Sequence, residues 1–355
     1  MIMAAMFMAP HLSEPIVALA WGVLIAGAVQ LAFQLPFLAR IGLIPKPVLS
    51  LTSWRHPGVK RILKLMGPVI FGSSVAQINI LLDTIIASFL AVGSLSWLYY
   101  SERLMQFPLG ILGVALATVI LPRLSLGATH NAHQDFSRTL DWAVKLTLLI
   151  GLPSAFGLLW LAAPLIATLF EYGNFTSTDT RMTSLSLMAY ALGVPAFILT
   201  KVLLPGFFSR QDTRTPVRIG IIALVSNMLY NLMLVLPMVW LGFFAPHTGL
   251  AIASALSAWQ QAYMLYRRLK EDNIYCFSDN LKHFSMRVLP ALLVMSLVIL
   301  GARAIVQPDA GWSELSAAQR ALGLLGIISL AVISYASTLL LLGVRPREFR
   351  SRAYE

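Results

Sequence analysis

Long uninterrupted apolar runs, separated by short polar stretches, recur along the whole chain. They lie near residues 15–38, 67–91, 95–121, 143–170, 182–207, 217–241, 248–266, 285–305 and 319–343. Each is close to or above the roughly 20 residues that a helix needs to cross a bilayer. The runs are continuous rather than alternating every second residue, so they predict helices and exclude a transmembrane barrel. The pattern predicts an all-α polytopic membrane protein with about nine full transmembrane helices plus a partial first one. The opening "MIMAAMFMAP" supplies that stub: residues 1–9 are too short to cross and lack the basic leader of a signal peptide. A chain is not expected to begin with half a span, so the expectation is that residues upstream are missing.

Composition sharpens the class. Of 355 residues, 58% are hydrophobic and 12% charged, against about a quarter charged in a soluble domain. Mean hydropathy is +0.77. The formal charge of +11 would suit a nucleic-acid binder, but its distribution argues otherwise. Loop 40–64 carries Arg40, Lys46, Arg55, Lys60, Arg61 and Lys64. Every second loop after it is basic too, through Arg123, Arg138 and Lys145, then Arg210, Arg214 and Arg218, then 267–287 and the tail 345–352. The alternate loops hold only Arg181, Arg303 and Arg320. By the positive-inside rule the basic loops and the C-terminus face the cytoplasm, and the charge meets anionic lipid. Cys276 is the single cysteine, so no disulfide framework exists. The six histidines fall in loops or near helix ends. His130 and His133 lie near Asp135, but a metal site needs more ligands. "NFT" at 174–176 is too short a pattern to carry a glycosylation reading. There is no GxSxG, P-loop or HExxH, and nothing argues for an enzyme.

The informative residues are polar groups inside apolar runs. Arg103, in "WLYYSERLMQFPLG", lies about eight residues into its span, ~12 Å deep at ~1.5 Å per residue. An arginine at such depth costs about 2.5–3.5 kcal/mol on insertion scales. Snorkelling or an ion pair would reduce that cost; alternatively the guanidinium faces a wet cavity and grips an anion bidentately. Asp83, in "NILLDTIIASFL", is as far from Gly93 on one side as Arg103 is on the other. In an antiparallel hairpin the two would share a depth, and the expectation is that they interact, directly or through water. Asp83 could otherwise serve a Na⁺ or H⁺ site. Asn227 and Asn231 share a helix face and Ser254 lies in the next span. They suit either a hard cation or polar contacts between helices. Lys201 near a span end reads as a snorkelling lysine or a cavity cation.

Three weaker patterns remain. "NAHQDFSRTLDWAVK" (131–145) places Phe136, Leu140, Ala143 and Val144 on one face. It is read as an interfacial helix on the inner membrane surface, or else as the start of the next span. "ALAWGVLIAGAVQ" (18–30) and "GLAIASALSAWQQ" (249–261) align at a few positions, as repeated transporter lobes do. Pro108, Pro195 and Pro205 within spans mark kinks or hinges.

"SWLYYSERLMQFPLGILGVALATVILPRLS" and "KVLLPGFFSRQDTRTPVRI" closely resemble the MurJ (MviN) family of lipid II flippases. So do "WGVLIAGAVQLAFQLPFL" and "EYGNFT". That family belongs to the multidrug, oligosaccharidyl-lipid and polysaccharide exporter superfamily. The resemblance runs the full length given. It implies fourteen spans in two lobes plus two extra helices, with this chain beginning inside the fifth span. It implies movement of undecaprenyl-diphosphate-linked disaccharide-pentapeptide from the inner to the outer leaflet of the bacterial inner membrane, for peptidoglycan synthesis. Arg103 matches the cavity arginine thought to hold the diphosphate, and Ser96 a cavity serine; Lys201 is added as a third substrate-binding residue. A glutamate often found three residues after that arginine is Gln106 here. Asp83, Asn227, Asn231 and Ser254 match side chains of a family sodium site, with Na⁺ as the implied coupling ion. One of those positions is aspartate in some members and Asn231 here.

The domains expected from this resemblance are a remnant of the N-terminal lobe at 1–64 and a C-terminal six-helix lobe at 65–283. Two helices and a basic tail at 284–355 build a groove for the lipid tail. The implied partners are lipid II, membrane lipids and peptidoglycan synthesis proteins, and not nucleic acid. Because the family's first spans supply other cavity charges, residues 1–355 alone are expected not to flip lipid II. The competing readings are an exporter of another polyprenyl-linked saccharide, a cation-coupled drug antiporter, and a non-transporting scaffold for wall enzymes. A membrane glycosyltransferase would show an acidic loop motif, and none is present.

Overall fold

A computed structural model of the chain describes residues 7–12, 14–42, 56–126, 132–306 and 312–344. Among these it is all-helical. The α-helices are α1 (Pro15–Arg40), α2 (Pro57–Ser88), α3 (Ser94–Leu126), α4 (Ala132–Leu146), α5 (Leu152–Trp160), α6 (Ala162–Phe170), α7 (Ser177–Phe208), α8 (Arg214–Trp240), α9 (Thr248–Glu271), α10 (Asp279–Val306) and α11 (Ala317–Leu341). The chain separates into two units, Met1–Lys64 and Leu65–Glu355. In the first, α1 starts at Pro15, where a missing N–H costs nothing, and stops where Gly42 takes a positive φ of 69°.

Each apolar run coincides with helix, one of them in several pieces. Among the described residues, six helical segments are long and apolar enough to cross a membrane. The other three helices placed on apolar runs, α2, α3 and α9, have 32, 33 and 24 residues, which is ample at ~1.5 Å per residue. They carry more polar side chains, among them Asp83, Glu102, Arg103 and Gln106. α2 and α3 join at Gly93, whose φ of 101° only glycine adopts readily. An added Cβ there would sit 2.6 Å from the Trp97 ring.

The run 143–170 is not one helix. α4 enters it, a π-helical segment follows at Thr147–Gly151, and the helix breaks again at Leu161. The π-segment frees backbone carbonyls, and the Tyr335 hydroxyl of α11 donates to one of them, Leu149 O, at 3.0 Å. The interfacial placement of 131–145 gives way to its alternative: α4 is the first part of the span Phe136–Trp160. Leu140, Ala143 and Val144 are buried in the protein core rather than in the membrane surface.

α7 is the most buried of the six apolar spans. Its start is fixed by a capping box, in which the Thr176 side chain and Asp179 satisfy each other's backbone N–H groups. α9 lies against it so closely that a Cβ on Gly193 would come within 2.9 Å of Ala255 Cα. Small residues permit that approach, as in other membrane helix pairs.

α10 and α11 pack on α5 and α6 through a separate apolar cluster around Val288, Ala291, Leu292 and Ile327. Arg320 secures this joint. Only 8% exposed, it donates to Leu315 O (2.9 Å) and to Ala167 O (3.0 Å), with a longer contact to Glu171 O (3.4 Å). Arg303 likewise donates to Trp160 O at 3.1 Å. These two arginines cap the carbonyl ends of neighbouring helices. Arg320→Ala is expected to cost about 2–3 kcal/mol, the value of charge-assisted bonds lost with their acceptors left buried. A lowered melting temperature of the purified chain checks this.

Candidate functional site

A cavity of about 1170 Å³ opens inside the second unit between α2, α3, α7, α8 and α9. Most of its wall is apolar. Its polar groups are concentrated in two places, one built around Asp83 and one beside Arg103.

Asp83 projects from α2 toward α8 and α9. Asn231 Nδ2 donates to its Oδ1 at 2.7 Å. Ser254 Oγ and Asn79 Nδ2 make longer contacts to Oδ2, both 3.4 Å. Asn231 Nδ2 also reaches Asn227 Oδ1 at 3.1 Å, and Asn227 Nδ2 lies 3.5 Å from Ser254 Oγ. The four residues singled out by sequence therefore form one cluster, drawn from three helices. Asn227 and Asn231 are each 1% exposed. Asn231 Oδ1 is buried without a hydrogen-bond partner. Turning the Asn227 amide over would let its nitrogen donate to Asp83 Oδ1 (3.3 Å) and Asn79 Oδ1 (3.0 Å), while its oxygen accepts from Ser254 N (3.3 Å). One carboxylate, two amide oxygens and a hydroxyl within such reach are a hard-cation donor set.

Arg103 does not join this cluster. Among the described residues no ion pair links it to Asp83, so their direct interaction is not formed. Asp83 turns to α8 and α9, whereas the guanidinium stays on its own helix. It lies 4.8 Å from the Tyr99 ring centroid, and its Nη1 donates to Gln106 Oε1 at 3.3 Å. Gln106 Nε2 in turn donates to Glu102 Oε1 at 2.8 Å. Tyr99, Glu102 and Gln106 all line the cavity; Arg103 itself does not. It is solvent-accessible beside the wall, with donors free to meet an anion. Ser96 and Lys201 line the cavity and are exposed to it.

Sequence reading missed Asn79, Tyr99 and the acceptor role of Glu102. Each stands four residues from its partner, Asn79 from Asp83, Tyr99 from Arg103 and Glu102 from Gln106, which is the helical neighbour spacing that could have revealed them.

The ends of the bundle around the cavity are tied by polar clasps. At one end, Trp97 Nε1 of α3 donates to Asp179 Oδ1 of α7 at 2.8 Å, and its ring packs on His247 with centroids 4.9 Å apart. At the other, Asp141 of α4 accepts from the Tyr275 hydroxyl at 2.9 Å and from the Ser278 hydroxyl.

A family profile described as "Lipid II flippase MurJ" matches residues 1–318. The chain is 45% identical over 352 residues to the probable lipid II flippase MurJ of Haemophilus influenzae, covering 97% of this chain and 66% of that protein. It is 44% identical to the probable lipid II flippase MurJ of Vibrio cholerae, covering 99% of this chain and 64% of that protein. A solved structure described as lipid II flippase MurJ in an inward closed conformation superposes with a TM-score of 0.65 at 25% identity. The match covers 86% of this chain and 59% of that one. The chain thus spans about two thirds of the length of these curated relatives.

Proposed function

The chain belongs to the MurJ lipid II flippase family, and from that premise we propose that it works as part of a transporter, not an enzyme, that moves lipid II from the inner to the outer leaflet of the bacterial inner membrane. The observation that carries the reading is the 1170 Å³ cavity, which is walled by apolar side chains and has Lys201 in its lining and Arg103 beside it. A cation kept at such a place is costly unless it meets water or an anion, and a diphosphate joined to a sugar and a long hydrocarbon tail needs both kinds of surface. In this reading Arg103, Lys201 and Ser96 hold the diphosphate. Two lobes rock about the site in alternating access. Na⁺, held by Asp83, Asn227, Asn231 and Ser254, supplies charge compensation that favours one orientation of the lobes. The basic loops and the C-terminus face the cytoplasm. Peptidoglycan synthesis proteins that use lipid II are the proposed partners.

The test is growth rescue of flippase-depleted cells by this protein, expressed at its native length. Rescue is expected. Removing 284–355, which would strip the α10–α11 groove from the lipid tail, is expected to abolish rescue by at least tenfold in plating efficiency while the rest still inserts. A drug antiporter would keep its transport without those helices, and a scaffold would rescue regardless of the cavity charges. Failure of the intact protein to rescue would defeat the flippase reading.

A further inference from the structure

A second cavity, about 410 Å³, opens between the first turns of α8 and the last turns of α9. It shares no lining residue with the large cavity and sits on a different face of α8. Its mouth is cationic. Arg218 comes from α8, and Arg267 and Arg268 come from α9, against the single lining carboxylate of Glu271. Its floor is apolar: Ile222 lies one turn deeper than Arg218, and Tyr263 and Met264 lie one turn deeper than Arg267 and Arg268. Further along α8, Val225 and Leu229 are exposed at 62% and 49%, so the floor continues into the apolar outer face of the helix.

Three guanidiniums over a greasy floor form a surplus of positive charge where the apolar stretches of α8 and α9 give way to the basic segments 210–218 and 267–287. Glu271 accepts from Arg267 Nε at 2.8 Å and lies 3.6 Å from Arg268 Nη1, while Asp272 lies 3.4 Å from Arg268 Nη2. These pairs are half exposed and of small worth, so they orient the forks without satisfying them. Arg218, on the opposite helix, has no side-chain partner among the described residues.

We propose that this cavity binds the headgroup of an anionic phospholipid. The phosphodiester sits between Arg218 and Arg267, gripped by guanidinium forks. The glycerol esters lie over Ile222 and Tyr263, and the acyl chains run along α8. A basic pocket between membrane helices at the charged boundary has the right chemistry for such a headgroup. The apolar floor favours a lipid over a free phosphate, which would gain nothing from it. The site recognises a bilayer lipid rather than the transported one and rests on no assumption about transport.

The purified full chain in neutral detergent micelles, titrated with fluorescent phosphatidylglycerol and with phosphatidylcholine of the same chains, tests this. The chain is expected to prefer phosphatidylglycerol by about tenfold, because phosphatidylcholine keeps the phosphodiester but brings a quaternary ammonium that the three guanidiniums repel. Arg218→Gln combined with Arg267→Gln is expected to erase that preference, and Glu271→Gln to increase it about threefold by removing the competing carboxylate. An unchanged preference in the double variant overturns the proposal. So does displacement of the lipid by millimolar glycerol phosphate, which would mark a site for soluble anions. If the double variant fails to fold, Glu271→Gln decides: stronger binding supports the site, and unchanged or weaker binding overturns it.

Discussion

Arg103→Ala, in the native-length protein, is expected to abolish rescue of flippase-depleted cells while leaving insertion and abundance unchanged. The guanidinium lies over Tyr99 and touches Gln106, and both of those side chains line the cavity. Two charge-assisted bonds from one fork to a phosphate are worth about 1.5–3 kcal/mol each. Losing both costs ~3 kcal/mol or more, over a hundredfold in affinity. Stability should hold because Arg103 is exposed and its removal strands no buried acceptor: Gln106 keeps its bond to Glu102. Arg103→Lys keeps the charge and loses the planar fork, so intermediate rescue is expected. Immunoblotting membranes from the same cultures separates failed function from failed insertion. Full rescue by the alanine variant at normal abundance would remove Arg103 from the diphosphate site, and the scaffold reading would gain.

Helices were legible in this chain because a bilayer leaves few alternatives. Backbone groups in hydrocarbon must be satisfied within the segment, so an apolar run of span length has to be helical. The turn at Gly93 was legible for a similarly local reason. What stayed hidden depends on which helices meet. Arg303 and Arg320 looked like nothing more than sparse charges of an outward loop; their second role, as donors to carbonyls of α5 and α6 far away in sequence, needed the packing. The π-segment at Thr147–Gly151 has no compositional mark, since "TLLIG" reads as ordinary span, and it is supported by Tyr335 from α11. The polar residues of the candidate site stood out individually, because each is expensive in an apolar run. Depth gave their grouping only in part, since it offered Asp83 both Arg103 and the polar set Asn227, Asn231 and Ser254. Packing delivered Asp83 to Asn231, 148 positions away.

Asp83→Asn gives the second large effect, and it separates a cation site from helix contacts. In buffer containing Na⁺, the intact chain is expected to melt several degrees higher than in choline chloride of equal strength. A ligand at a hundred times its dissociation constant adds about 2.7 kcal/mol. Asp83→Asn should erase that difference, because no other carboxylate belongs to the cluster. If the cluster only joins helices, the variant lowers the melting temperature equally in both salts. The mutant amide nitrogen would then face Asn231 Nδ2, Ser254 Oγ or Asn79 Nδ2, which now donate to the carboxylate. The salt dependence and the loss in choline thus report on different things. The orphaned Asn231 Oδ1 favours the cation. Turning that amide would bring its oxygen to the position its nitrogen now holds, 2.7 Å from Asp83 Oδ1. Two acceptors at that spacing repel unless they share one cation as a common ligand pair. A cation would therefore use the one buried side-chain atom of this cluster left unsatisfied, while the sodium-free cluster closes on the amide nitrogen instead. In the proposed cation site that exchange would give the Asn231 amide two orientations against Asp83 that differ by one bound ion, and Asp83→Asn should leave only the sodium-free one.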